Sequence, residues 1–212
     1  MKYTKPSLSF GEQAELLIAR GLVVEKSLLI ERLRTVSYYR ISGYLYPYRQ
    51  PSSDDYIPGT KFETVWRHYA FDRRLRNIVM DAIERVEVCV RTRLICVHSQ
   101  KYGPFGYCDS ARLPGMSLDE HSQWLGDIRS EFGRSRERFV EHFKAAYGDM
   151  HKDIPIWMVA EIMSFGRMLT LYNGMEESHQ TDVSRSIGLE KEVFGSWLAA
   201  LNIIRNISGI YM

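Results

Sequence analysis

Lys61-Phe-Glu-Thr-Val-Trp-Arg-His-Tyr-Ala-Phe-Asp-Arg-Arg-Leu-Arg-Asn-Ile-Val-Met-Asp-Ala-Ile-Glu-Arg-Val-Glu-Val-Cys-Val-Arg-Thr-Arg-Leu-Ile-Cys-Val-His98 is the stretch on which the reading of this chain turns. Leu75, Ile78, Val79, Ala82, Val86, Cys89, Val90, Leu94 and Val97 recur at i, i+3, i+4 and i+7. That is the period of an amphipathic helix, and it predicts one broad buried stripe. Arg74, Asn77, Asp81, Glu84 and Arg91 fall on the other side. Asp81 precedes Arg85 by four residues, and Glu87 precedes Arg91 by four. This is the favourable order for ion pairs worth ~0.3–0.5 kcal/mol each on an exposed helix. The charges therefore read as a solvated face and the segment as the spine of a helical protein.

The same signals continue outward. Ser9-Phe-Gly-Glu12, Thr60-Lys-Phe-Glu63 and Ser117-Leu-Asp-Glu120 each fit a capping box, in which a hydroxyl and a carboxylate satisfy the free amides of a first helical turn. Helices are predicted over about 10–20, 27–36, 38–46, 61–98, 118–130, 136–147, 155–173, 179–187 and 190–207. No useful stretch alternates in polarity and none repeats at a fixed period, so the predicted fold class is all-α, a multi-helix bundle. Loops are marked by Gln50-Pro-Ser-Ser-Asp-Asp-Tyr-Ile-Pro-Gly59 and by the Gly/Pro-bearing stretch from Tyr102 to Gly115. They predict a small N-terminal helical unit over residues 1–50 and a larger helical domain over 60–212.

The 212 residues are 45% hydrophobic, enough for a real core. Apolar runs fall far short of the ~20 residues that span a bilayer. The opening Met1-Lys-Tyr-Thr-Lys-Pro6 lacks the apolar region of a signal peptide. A soluble, cytoplasmic protein with no membrane partner is expected. Cys89, Cys96 and Cys108 are too few and too irregular for a disulfide framework. Cys89 and Cys96, seven apart, share a helix face and read as small core hydrophobes. Without a CxxC or a histidine at ligand spacing, no structural zinc, no other metal and no cofactor is expected. Net charge is only +2, yet 20 of the 28 basic residues are arginine, the planar fork suited to phosphates and buried ion pairs. Arg-rich coding explains the same bias.

Two segments have the residue types of a nucleic-acid contact. Tyr38 to Arg49 holds five tyrosines and two arginines, among them Tyr39, Arg40 and Tyr44. Tyrosine can stack on unpaired bases and arginine can grip their phosphates. A buried helix with Tyr38, Ile41 and Leu45 as its packing stripe accounts for them equally. Phe71-Asp-Arg73-Arg74-Leu-Arg76-Asn77 is a candidate phosphate patch. From Arg67 to Arg93, seven arginines stand against Asp72, Asp81, Glu84 and Glu87, a net of +3. This is basic without being a basic arm. Arg134-Ser-Arg136-Glu137-Arg138 reads as a charged surface face. The six histidines are scattered, and HExxH, GxSxG, P-loop and GxGxxG motifs are all missing. Nucleotide-hydrolase, zinc-protease and esterase chemistry are disfavoured.

Taken in order, four motifs resemble the bacterial Abi (abortive infection, AbiD/AbiF-like) family: Tyr39-Arg-Ile-Ser-Gly-Tyr-Leu-Tyr-Pro-Tyr48; Phe71 to Asn77 leading into Glu84-Arg-Val-Glu-Val88 and Arg91-Thr-Arg93; Pro155-Ile-Trp157 through Glu161 and Ser164-Phe-Gly166; and Trp197-Leu-x-x-Leu-Asn-x-x-Arg205-Asn206. The resemblance implies an all-helical fold related to the HEPN superfamily, which includes metal-independent endoribonucleases. It also implies a role in phage defence through damage to RNA, under control of a protein or RNA antitoxin. In that chemistry the Arg and His of an R-x4-6-H motif act on the scissile phosphate, arginine holding negative charge and histidine moving a proton. Arg205 and Asn206 match the start of the motif, but Ile210 stands where the resemblance calls for histidine. On a helix Arg205 and position 210 lie about 140° apart. An arginine near a helix C-terminus also simply complements the helix dipole.

The expectation is therefore a catalytically impaired phage-defence protein with Arg205 and Asn206 as the remaining catalytic pair. RNA would be its substrate or antitoxin, contacted by Tyr39, Arg40, Tyr44, Arg73, Arg74, Arg76 and Arg91. A non-catalytic helical RNA- or protein-binding module is the alternative. The family is expected to continue in helical sequence beyond residue 212, so the domain reads as truncated. The loss of those helices would leave Trp197, Leu198, Leu201 and Ile204 on an open apolar face and favour a homodimer.

Overall fold

The computed structural model describes residues 6–210, so the opening Met1–Lys5 and closing Tyr211–Met212 segments lie outside the described residues. Ten α-helices and no strand occur among those described, and contacts group them into two units, Met1–Ile78 and Val79–Met212. The fold is all-α, as the periodicity predicts.

The first unit contains α1 (Phe10–Ala19), α2 (Lys26–Thr35), α3 (Tyr38–Leu45) and the beginning of α4 (Phe62–Tyr102). Ser9 and Glu12 close their capping box at α1, and the Ser37 hydroxyl caps α3. Leu17, Leu29, Leu33, Ile41 and Leu45 form the core with Phe62 and Val65 of α4. Burying each large side chain contributes about 2 kcal/mol. The 50–59 loop, whose composition marks a break, packs within this unit. Its Tyr56 is 2% exposed and its amide donates to the Arg20 carbonyl at 2.7 Å. Val23 and Thr60, then Phe62 and Val23, add backbone hydrogen bonds of 2.9 and 3.1 Å. These bonds account for the missing capping box at Thr60: its hydroxyl donates to the Ile57 carbonyl at 2.6 Å, and Glu63 pairs with Arg67 instead.

The second unit contains the remainder of α4, then α5 (Leu118–Arg134), α6 (Arg138–Tyr147), α7 (Ile156–Ile162), α8 (Phe165–Gly174), α9 (Glu177–Arg185) and α10 (Lys191–Ile210). Ser117 and Glu120 form the capping box of α5. The helix predicted over 155–173 is two helices, because Met163 and Ser164 are extended and the Ser164 hydroxyl accepts from the Arg167 amide to start α8. Val90, Leu94, Trp124, Val159, Phe165 and Leu171 are central to the core, with Phe194 and Leu198 covering it from α10.

The buried face of α4 differs from the predicted stripe. Leu75, Ile78, Ala82, Val86 and Cys89 are exposed, whereas Ile83, Glu87, Val90, Leu94 and His98 are buried. The packed stripe runs at spacings of 4, 3, 4 and 4, rotated by one residue over its first half. A polar residue, Glu87, occupies one of its positions, and a count of apolar residues therefore selects the wrong phase. The same rotation exposes Cys89 and Cys96, correcting their reading as core residues. No helix among the described residues is long and apolar enough to cross a membrane.

Candidate functional site

Glu87, one α4 position that the rotation turns inward, is only 8% exposed and would be costly to bury as an isolated charge. Two arginines hold it. Arg91, one turn along α4, donates from Nη2 to Oε1 at 2.6 Å, and Arg205 of α10 donates from Nε to Oε2 at 3.0 Å. Arg91 also donates to the Met163 carbonyl at 3.1 Å, a group left free where α7 breaks before α8. The break thus presents a backbone acceptor to α4, while α10 brings in the second guanidinium. The three charged groups sum to +1.

The Glu87 face of Arg205 is fixed, but about a third of its side chain remains exposed, and its terminal nitrogens make no hydrogen bond among the described residues. Asn206 is exposed beside it. Ile210 ends α10, and its side chain lies outside what the structure describes. Next to this cluster, Gly166 opens α8 where a Cβ would stand 3.6 Å from Asn202 Oδ1 of α10. A cleft of about 570 Å³ follows, lined by Ser164, Gly166, Arg167, Thr170, Glu120 and Gln123. Arg167 is committed to Glu131 at 2.9 Å and Asp127 at 3.6 Å.

The other candidate residues lie in the first unit. Tyr39 is 87% exposed. Arg40 is partly buried and engaged. Tyr44 donates its hydroxyl to Asp72 and meets Tyr69 edge-on at 5.5 Å, while Arg76 pairs with the same Asp72 and keeps only 13% of its side chain exposed. Arg73 and Arg74 are exposed and make no ion pair or hydrogen bond among the described residues. The structure therefore brings Arg91 and Arg205 together through Glu87, and Tyr44 and Arg76 together through Asp72. Glu87 and the Met163 carbonyl are participants that sequence reasoning missed. The Glu87–Arg91 spacing was visible, but it is equally the spacing of a surface pair.

A second buried cluster joins α4 and α9. His98 is 0% and His179 4% exposed, and neither ring has a hydrogen-bond partner among the described residues. Tyr102 meets both rings edge-on, at 5.2 and 5.4 Å. Burial, reinforced by His179, pushes the His98 imidazole down to about 4. Among the described residues no three His, Cys, Asp or Glu side chains group closely enough to hold a metal ion.

These features define an all-helical protein whose separated arginines converge on one buried carboxylate. The family described as Abi-like protein matches residues 31–209, which span α4, the α7–α8 break and α10, and the chain belongs to that family. Membership places it among abortive-infection proteins, at the level of phage defence. No curated protein and no solved structure matches it.

Proposed function

We propose that the chain is a HEPN-like relative of metal-independent endoribonucleases whose own RNA-cleaving activity is impaired. The convergence of Arg91 and Arg205 on Glu87, with Arg91 also donating to the Met163 carbonyl, carries this reading, because it unites three of the four family motifs. In such a reaction the 2′-hydroxyl of RNA attacks the adjacent phosphorus and the 5′-oxygen leaves. Arg205 would hold the charge that grows on the phosphate oxygens. Proton transfer to and from the two hydroxyl oxygens needs a group titrating near neutral pH, and a hydrocarbon at position 210 cannot supply it. Asn206 would orient the substrate, and a protein or RNA antitoxin is the partner that this role calls for.

A homodimer is part of the same proposal. Val193, Trp197, Ala200, Ile204 and Ile207 form an exposed stripe along α10 on the side of the helix that carries neither Phe194 nor Leu198. A second copy presenting the same stripe would cover it in a self-complementary contact.

The test is RNA cleavage by the purified full chain in EDTA. The unaltered chain is expected to leave RNA intact, Ile210→His to cleave it, and Ile210→His with Arg205→Ala to lose about 10²-fold or more of that rate. Cleavage by the unaltered chain that disappears in Arg205→Ala would overturn the impairment. Salt-sensitive RNA binding without cleavage by Ile210→His would favour the second reading, a non-catalytic RNA-binding module, to which the exposed Arg73, Arg74 and Tyr39 are suited.

A further inference from the structure

We propose that the N-terminal unit contains a separate site for a nucleoside monophosphate, built between Arg20 and Arg49 and at present occupied by the chain's own Asp54. Arg20 donates from Nη2 to Asp54 Oδ2 at 2.8 Å, and Arg49 from Nη1 to Oδ1 at 2.9 Å. The asymmetry of exposure is the informative point. The arginine side chains are 20% and 28% exposed, but the carboxylate is 60% exposed and sits on the 50–59 loop. Two guanidinia set into the unit thus grip an anion presented from outside. Paired forks around two oxygens suit a phosphate monoester better than a carboxylate, because the monoester offers three acceptor oxygens and nearly twice the charge.

The surroundings favour a nucleotide over bare phosphate. Beside the arginines lies a cavity of about 550 Å³, within the range of small-ligand sites. Leu8 and Leu16 supply an apolar wall, Tyr38 and Tyr39 supply ring faces, and Gln13 and Ser42 supply polar groups. Tyr39 is the most exposed large hydrophobic residue among those described, at 87%. A base stacking on it accounts for that exposure. Hydrogen-bonding capacity is also left over among the lining residues: the buried Arg49 Nε and Gln13 Oε1 have no partner among the described residues. Arg20 further donates from Nη1 to the Tyr38 hydroxyl at 3.4 Å, so the phosphate grip and the aromatic wall are joined. With Asp54 displaced, the two arginines would present +2 to a monoester of about −2.

The site rests on residues distinct from Arg205, and its test reads binding rather than cleavage. The full chain would be titrated at low salt with inorganic phosphate, O-phosphoserine, AMP, UMP, and an RNA hexamer with either a 5′-phosphate or a 5′-hydroxyl. Saturable nucleotide binding is expected. Asp54→Ala should tighten it about three- to tenfold by removing the internal competitor, and Arg49→Gln should weaken it at least tenfold. Should Arg49→Gln fail to fold, Tyr39→Ala decides, since its side chain is outside the core. It should weaken AMP and UMP several-fold while leaving inorganic phosphate unchanged. A hexamer preferred over AMP only when it carries the 5′-phosphate would identify an RNA end as the source, and AMP binding as well as the hexamer would identify a free nucleotide. No saturable binding by the parent chain or by Asp54→Ala would overturn the proposal, leaving the triad as a pin for the loop. O-phosphoserine binding as tightly as AMP, with no effect of Tyr39→Ala, would overturn it too.

Discussion

Glu87 has two guanidinia and almost no water, and its charge is therefore held by the fold rather than by solvent. Replacing it with glutamine keeps the shape but leaves Arg91 and Arg205 facing each other without a counter-ion. The expected cost is about 3 kcal/mol, measured as a lower urea midpoint at unchanged m-value. The double substitution Glu87→Gln with Arg205→Ala should cost less than the sum of the two singles, because the second removes the charge that the first strands. His98 illustrates the opposite solution, a titratable ring kept neutral. With its folded value near 4 and its ordinary value at 6.5, the unfolded chain binds a proton between those limits that the folded chain does not. Stability is therefore full above about pH 6.5 and falls as pH drops toward 4, by roughly 3 kcal/mol in total. His98→Leu should flatten this dependence between pH 6.5 and 4.5, as read by chemical unfolding at a series of pH values. Neither residue could be placed from sequence. The i, i+4 spacing of Glu87 and Arg91 is the same on a wet face as on a dry one, and the partners that decide between them, Arg205 and Met163, are distant in the chain.

At the level of the element, local chemistry was the reliable guide. Ser9 with Glu12 and Ser117 with Glu120 mark helix starts because the motif satisfies its own amides with no help from elsewhere. At Thr60 the box does not form: its hydroxyl donates to the Ile57 carbonyl of the packed 50–59 loop, and no first-turn amide donates to it among the described residues. Ser164 separates two helices within a stretch whose helical period continues on both sides, a signal that a lone serine does not carry without its structural setting. On α10 the same helix shows both outcomes. Phe194 and Leu198 are buried in the core, which removes Leu198 from the open apolar face expected for it, while Trp197 at 56% and Ile204 at 43% exposure stand on the other side. If a second copy covers that stripe, Trp197→Glu with Ile204→Glu should convert a dimer into a monomer at nearly unchanged folding stability. Light scattering on a sizing column measures this, and a monomer at high concentration before substitution would refute the contact.

For the molecule as a whole, the all-helical class was legible because periods of 3.6 residues and helix caps recur along the entire chain, and family membership because its motifs keep their order over residues 31–209. Which face of each helix is buried was less legible, since that is settled by distant partners. The rotation of α4 has a practical result as well. Cys89 and Cys96 are both exposed, and seven residues bring them onto one side of the helix, about 10.5 Å apart along its axis. Cys108 is half-buried, its thiol pushed up to about 11 chiefly by burial, and stays poorly nucleophilic at neutral pH. The natural sequence thus has a pair of addressable thiols at stapling distance. A short bifunctional reagent can brace α4 across two turns without any engineered residue.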